Sequence, residues 1–466
     1  MKDFFSNLDK GKSYRVFVYM LSQLILEGFA VIAMPLFTRL LTTEQYGVTS
    51  LYATWSTIAA QVVGLKVDSI ISTAKVHFKE NDFRKFCANA YFVVIISGIA
   101  AVIVASIFLQ EISLFLHLAP AIVIFLVFHA CGTECTRIQS GIFLISRNSV
   151  KDVALSVSLS FSAYILSVIF VVLMKGNEDI GRILGMGLPY IVLGSIPCIM
   201  YMKGISKSLN KNMLVYIVKL STPMVFSGLS ALVLSQSDRV MISDIIGVAQ
   251  AGIYSFCYLV ATPLSSIWLA LGKAWKPDYY EKLKEGNQEW LREHSDNYLF
   301  LFTCLTCGYL LVSEEALKIL GTKDYWSGIP MLPFVILSCF FQFLYSFPVN
   351  YEMYCKKTKK IGIATSITAL INIVLNLWLI PLYGIVGAAI ATLAAYFILF
   401  LIHDRVARLI GGYHYNWIFY LKGLLPVMIC FVITYIFADY FVIRWLVGAG
   451  IAIILIKRIL KKRTLL

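Results

Sequence analysis

The chain has 466 residues, of which 59% are apolar and only 14% charged, and its formal net charge is +14. Soluble domains are about 45–50% apolar and about 25% charged, so this chain has too little polar surface to cover itself in water. A cytosolic enzyme, a secreted disulfide scaffold and a disordered chain are excluded. The basic balance does not point to nucleic acid either, because most lysines and arginines lie in short segments between apolar runs, where they read as topology signals and anchors for anionic headgroups.

A helix needs about 20 predominantly apolar residues to cross the hydrocarbon core. By that measure the chain is an all-α polytopic membrane protein with about fourteen spans. They lie near 15–38, 45–70, 86–109, 113–136, 150–174, 182–202, 214–237, 246–272, 297–317, 328–352, 361–380, 384–403, 416–437 and 440–457. The polar, mildly basic stretch 1–14 leads into the first span without a short apolar region and cleavage site, so no removed signal peptide is expected. Ile380-Pro381-Leu382-Tyr383-Gly384 marks the turn between the eleventh and twelfth spans. The longest loop, 273–295, carries the amphipathic run Trp275-Lys276-Pro277-Asp278-Tyr279-Tyr280-Glu281-Lys282-Leu283, which is expected on the cytoplasmic membrane surface.

The loops support the count. Segments that share the N-terminal side carry 31 of the 40 basic residues and the opposite side carries seven, with Lys219 and Lys422 inside spans. An extra or missing helix would scramble this alternation, so both termini are expected in the cytoplasm. The loops are short and basic, which leaves a catalytic cluster almost nowhere to sit, and no enzyme activity is expected. Cys131 with Cys135 and Cys304 with Cys307 only share helix faces inside apolar runs. They lack the flanking histidines or second cysteine pair of a zinc site, and no metal or cofactor is expected.

Shifting the chain by 205 residues aligns Gln45-Tyr46-Gly47-Val48-Thr49-Ser50-Leu51 with Gln250-Ala251-Gly252-Ile253-Tyr254-Ser255-Phe256, each opening an even-numbered span. An offset of six spans keeps the orientation, so the halves read as parallel repeats. The expected organisation is an N-terminal lobe over 1–205, a C-terminal lobe over 206–405, and two further helices with a basic tail over 406–466. Spans 1, 2, 7 and 8 would face a substrate path between the lobes.

Three motifs carry a family resemblance. Pro35-Leu36-Phe37-Thr38-Arg39-Leu40-Leu41-Thr42-Thr43-Glu44-Gln45-Tyr46-Gly47 resembles the first-helix signature of bacterial polysaccharide exporters, the flippases for lipid-linked O-antigen and capsule repeat units. Ser237-Asp238-Arg239-Val240-Met241-Ile242, with Gly247 and Ala251-Gly252-Ile253-Tyr254-Ser255, resembles their seventh-to-eighth helix junction. Asn372-Ile373-Val374-Leu375-Asn376-Leu377-Trp378-Leu379-Ile380-Pro381-Leu382-Tyr383-Gly384-Ile385-Val386-Gly387-Ala388-Ala389 resembles their eleventh-to-twelfth helix turn. The resemblance implies a superfamily shared with multidrug extruders and lipid II flippases, alternating access without ATP hydrolysis, and an undecaprenyl-diphosphate-linked oligosaccharide as substrate. It implies membrane lipids, a coupling proton or sodium ion and the polysaccharide polymerase machinery as partners. An ion-coupled multidrug exporter or a lipid II flippase on the same fold is the alternative.

Charges within spans cost about 2.5–3.5 kcal/mol each on insertion scales and need a reason. Lys219, with Lys66, is expected to attract the pyrophosphate or an anionic sugar. Arg39 and Arg239, at the outer ends of spans 1 and 7, read either as substrate cations or, with Asp238, as interfacial anchors or a gate. Glu27, in the middle of span 1, reads as a coupling site or the partner of a buried cation. Asp68, Glu134 and Arg137 lie nearer the cytoplasmic ends and are expected on solvated faces, with Asp68 and Asp238 further coupling or ion-pair candidates. Lys422 is expected to snorkel to the interface.

Overall fold

The computed structural model describes residues 26, 28–29, 31–146, 148–203 and 209–462. Among them every regular element is helical. In chain order these are α1 (Val31–Leu40), α2 (Thr43–Val63), α3 (Ile71–His77), α4 (Glu80–Ile107), α5 (Leu109–Leu116), α6 (Pro120–Ile145), α7 (Ser149–Leu173) and α8 (Glu178–Met202). There follow α9 (Lys211–Ile246), α10 (Val248–Glu285), α11 (Gln288–Leu320), α12 (Leu332–Tyr354), α13 (Thr358–Ile410), α14 (Trp417–Ile436) and α15 (Phe441–Lys462). Ten helices are long and apolar enough to cross a membrane. With α13 counted as two helices about Gly384, and α2 and α15 added, the described residues hold thirteen of the fourteen expected segments; most of the first, 15–38, lies outside the described residues, which include its end as α1.

Local chemistry sets the ends. At α2 the Thr42 hydroxyl accepts the Gln45 N–H at 3.2 Å, while Gln45 Oε1 accepts the Thr42 N–H at 3.0 Å, a reciprocal cap for two orphan donors. Gln45 also donates to Glu178 at 2.7 Å, tying the start of α2 to the start of α8. The turn expected after Ile380 is present: Gly384 takes φ 58°, ψ −138°, a conformation that only glycine adopts freely.

Two boundaries differ from expectation. The fourth span runs over Pro120–Ile145 rather than 113–136. His117 adopts a left-handed conformation that ends α5, and Pro120 opens the next helix at its first position. The predicted surface loop 273–295 is largely helix, because α10 continues to Glu285 and stops only at left-handed Gly286. Pro277 and the charges after it interrupt the apolar pattern without ending the helix. Trp275 and Tyr279 are buried rather than laid on a membrane surface. They stack on each other at 4.5 Å, and Trp275 stacks on Tyr298 of α11 at 5.0 Å.

The chain forms two compact units that divide between Leu232 and Val233, within α9. In the first, Tyr52, Leu126, Val127 and Ile183 form one cluster and Val67, Ile71, Phe86 and Tyr91 another. The second has an aromatic core in which Phe347 meets Tyr298, Tyr415 and Phe419 at 5.1–5.9 Å. Its polar interior includes the Glu352–His403 pair at 2.8 Å. Arg444 of α15 is 1% exposed and joins Glu314 and Glu315 of α11 at 3.0 and 2.5 Å.

Candidate functional site

In lipid, helices associate through close packing rather than through release of water. In the first unit α6 and α8 are in backbone contact: a Cβ at Gly132 would lie 2.4 Å from the Tyr190 carbonyl oxygen, and one at Gly194 would lie 2.5 Å from that of Gly132. Beside this contact is a chamber of about 500 Å³ walled by α2, α6, α7 and α8. Helix α7 gives it Ser156, Ser160, Ala163 and Ser167, and α6 gives His129, Thr133, Thr136, Arg137 and Ser140. The α7 set follows i, i+4, i+7, i+11 spacing and the α6 set adds i+8, each one face of a helix. The small side chains at these α7 positions leave volume open and bring hydroxyls to it, beside Leu155, Leu159 and Tyr164 of the same helix.

Arg137 and Arg182 supply the charge, and no acidic side chain is among the lining residues. Behind the wall the buried Asp152 carboxylate accepts a hydrogen bond from lining Ser140 at 2.5 Å. The Arg182 guanidinium lies between the rings of Phe37, at 4.3 Å, and Tyr46, at 4.5 Å, a stacking that suits a planar cation. One buried nitrogen of each arginine, Nη1, has no hydrogen-bond partner among the described residues. On the neighbouring wall the Tyr52 hydroxyl and His129 Nδ1 are 2.8 Å apart and their rings stack. The arrangement can bind a ligand rich in hydroxyls that carries a negative charge.

Where α2 ends, the chain turns through Leu65 and Lys66, both at left-handed φ of 50° and 53°, a conformation that costs non-glycine residues about 1–2 kcal/mol each. Glu134, fully buried on α6, holds the turn by accepting the Asp68 N–H at 2.8 Å. Glu134 Oε2 and Asp68 Oδ1 have no partner among the described residues. Lys66 Nζ lies 3.9 Å from Asp68 Oδ2. The solvated face expected for Glu134 is therefore incorrect, since its position on α6 points it under this turn. Arg137 lines the chamber rather than a solvated surface, and half-buried Asp68 borders the Glu134 carboxylate.

In the second unit Asp238 of α9 is 1% exposed and takes hydrogen bonds from Tyr254 (2.6 Å), Thr392 (2.6 Å) and Asn376 (2.9 Å). Asn376 also donates to Asn372 at 3.1 Å. The second and third sequence motifs thus converge on one carboxylate. Asp238 lies buried among neutral donors within the second unit. Arg239 instead donates to the Ser235 carbonyl at 3.4 Å and lies over the Tyr258 ring at 4.9 Å. The set around Asp238 is all oxygen and amide with one carboxylate. Among the described residues no three His, Cys, Asp or Glu side chains gather as a metal site.

The remaining expected residues are dispersed. Lys219 is exposed on α9 and has no hydrogen-bond or ion-pair partner among the described residues, and Arg39 is exposed at the end of α1. Glu27 lies outside the described residues. Lys422 pairs with Asp296 at 2.9 Å instead of snorkelling alone.

Residues 14–277 match the model of a family described as polysaccharide biosynthesis protein. An uncharacterized membrane protein of Haemophilus influenzae is 22% identical over 361 residues, covering 76% of this chain and 87% of its own. Among solved structures, the lipid II flippase MurJ in an inward closed conformation superposes with a TM-score of 0.69 at 18% identity, over 94% of this chain and 98% of its own. An inward-facing multidrug resistance MATE family transporter of the MOP superfamily superposes with a TM-score of 0.67 at 13% identity, over 84% and 97%. These likenesses establish the fold.

Proposed function

Because the chain belongs to the polysaccharide biosynthesis protein family, we propose that it is a flippase for undecaprenyl-diphosphate-linked oligosaccharide repeat units. It moves them across the bacterial inner membrane by alternating access, for O-antigen, capsule or exopolysaccharide assembly. The observation that carries this reading is the chamber of the first unit, where two arginines with unpartnered nitrogens stand among serine and threonine hydroxyls. Sugar hydroxyls exchange hydrogen bonds with such a wall, and an acidic sugar or phosphate meets guanidinium in a charge-assisted pair. At about 500 Å³ the chamber is within the range of pockets that enclose small ligands, so it takes part of the glycan and leaves the polyprenyl chain in the bilayer.

Lys219, Lys66, Arg39 and Arg239 then serve as secondary cations that attract the pyrophosphate. Coupling to a proton or a sodium ion falls to Asp238, whose carboxylate, with the Tyr254 and Thr392 hydroxyls beside it, suits a hard monovalent cation. Asp68 beside Glu134, and Glu27, are the further coupling candidates. Both termini face the cytoplasm, in keeping with the basic loops, and the polymerase machinery acts on the opposite side of the membrane.

The test is transport in proteoliposomes. An impermeant glycosidase reports the leaflet of an undecaprenyl-diphosphate oligosaccharide with and without a proton or sodium gradient. Protein-dependent movement that Arg137→Ala and Arg182→Ala abolish supports the reading. Movement of a cationic drug instead, with the glycan static, would assign the chain to multidrug export.

A further inference from the structure

We propose that the second unit holds an anionic phospholipid of the surrounding bilayer in a two-part pocket between α11, α14 and α15. This site is separate from the chamber and does not rest on the flippase reading. One part, of about 480 Å³, is walled by Leu299 and Phe300 of α11, Pro426 and Cys430 of α14, and Ile451 and Ile454 of α15. The other, of about 440 Å³, lies at the N-terminal ends of α11 and α14 and is lined by Arg292, His414 and Asn416. Asp296 and Lys422 line both parts, so the two adjoin across that ion pair. An apolar compartment opening onto a polar one matches a molecule with an acyl chain and a headgroup.

The charge favours an anion. Arg292, Lys422 and Arg458 line the pocket against one carboxylate, Asp296. Arg458 is held in place by its bond to Asn297 at 3.0 Å and by the Phe300 ring at 4.0 Å. The buried Nε2 of His414 has no partner among the described residues, and burial lowers the imidazole below its ordinary range, so the ring is a neutral polar contact. Basic pockets between membrane helices are known to take acidic headgroups. The basic rim lies toward the start of α14 and the end of α15, where the helices leave the apolar zone, while Cys307 and Cys430 line the deeper part. A phosphate at the rim and a chain running inward along Ile451 and Ile454 satisfy both compartments.

The experiment uses the full chain in detergent, given 1-palmitoyl-2-oleoyl phosphatidylglycerol or the matching phosphatidylcholine, with retained lipid counted by native mass spectrometry. Wild type is expected to keep phosphatidylglycerol in preference to phosphatidylcholine. Each cation contributes about 1 kcal/mol, about five-fold, so the double variant Lys422→Gln, Arg458→Gln should lose about 25-fold in retention. Lys422→Arg with Arg458→Lys keeps the charge and should keep the lipid, which separates binding from misfolding. Ile454→Trp fills the apolar part and should weaken retention with the rim intact. Equal retention of the two lipids, or undiminished phosphatidylglycerol on the double glutamine variant, overturns the proposal. So does displacement of the lipid by glycerol phosphate, or by undecaprenyl phosphate at equal concentration, since the pocket would then serve a free phosphate or the polyprenyl carrier.

Discussion

Arg137 and Arg182 in the first unit and Asp238 in the second are buried or half-buried charges treated in opposite ways. The arginines border open volume, and each keeps a buried nitrogen without a partner. Asp238 is enclosed, and its two oxygens take three hydrogen bonds. An unpartnered buried donor costs about 1–3 kcal/mol, a cost that folding alone does not repay and a ligand can. A carboxylate already satisfied by neutral groups gains little from a large ligand but can exchange its donors for a small cation. On the proposed reading, the contrast separates a place suited to receive substrate from a place suited to an ion.

The most severe way to break this contrast is to remove the chamber arginines. Truncating one partner of a buried charge-assisted pair costs about 2–5 kcal/mol, so Arg137→Ala and Arg182→Ala should each slow glycan transport about 30-fold or more, while yield and melting temperature hold. Arg182→Lys should also fail, because an ammonium does not stack flat between Phe37 and Tyr46. Wild-type transport by the lysine variant would count against the stacked geometry.

Asp238→Ala should act on stability as well as transport. It strands the hydroxyls of Tyr254 and Thr392 and the Asn376 amide, at about 1–3 kcal/mol for each buried donor, so the melting temperature in detergent should fall by several degrees. Asp238→Asn restores an acceptor and should recover most of that loss, yet leave transport indifferent to the imposed ion gradient. An asparagine variant with full gradient dependence would move coupling to Asp68 or Glu27.

Smaller effects sharpen the picture. Glu134→Ala orphans the Asp68 N–H and releases the left-handed turn at Leu65 and Lys66, which should cost about 1–3 kcal/mol and appear as faster hydrogen exchange over 64–70. Gln45→Ala removes half of the α2 cap and the tie to Glu178, a loss of about 1 kcal/mol, with transport almost unchanged.

Much of the fold was legible, because the apolar period and the basic loops are one-dimensional signals. Span count and the Gly384 turn depend on neighbours within a few residues. The α10 extension escaped because Pro277 and the following charges resemble a loop until Trp275 and Tyr279 are seen packed on Tyr298. The site was less readable. Asp238, Asn372 and Asn376 stand out as polar residues in apolar runs, yet their meeting joins helices more than 130 residues apart. The chamber faces of α6 and α7 carried a periodic signal in Thr133, Arg137 and Ser140 and in Ser156, Ser160 and Ser167. Serine and threonine are ordinary packing residues in membrane helices, so only their convergence on Arg137 and Arg182 gives them significance.

The measurement that bears most directly on the chamber is leaflet accessibility of an undecaprenyl-diphosphate oligosaccharide in proteoliposomes, wild type against the double variant Arg137→Ala, Arg182→Ala at matched insertion and orientation. The wild-type protein should move the glycan to the far leaflet, and the double variant should leave it where it was loaded. Equal movement by both proteins would contradict a substrate role for the chamber.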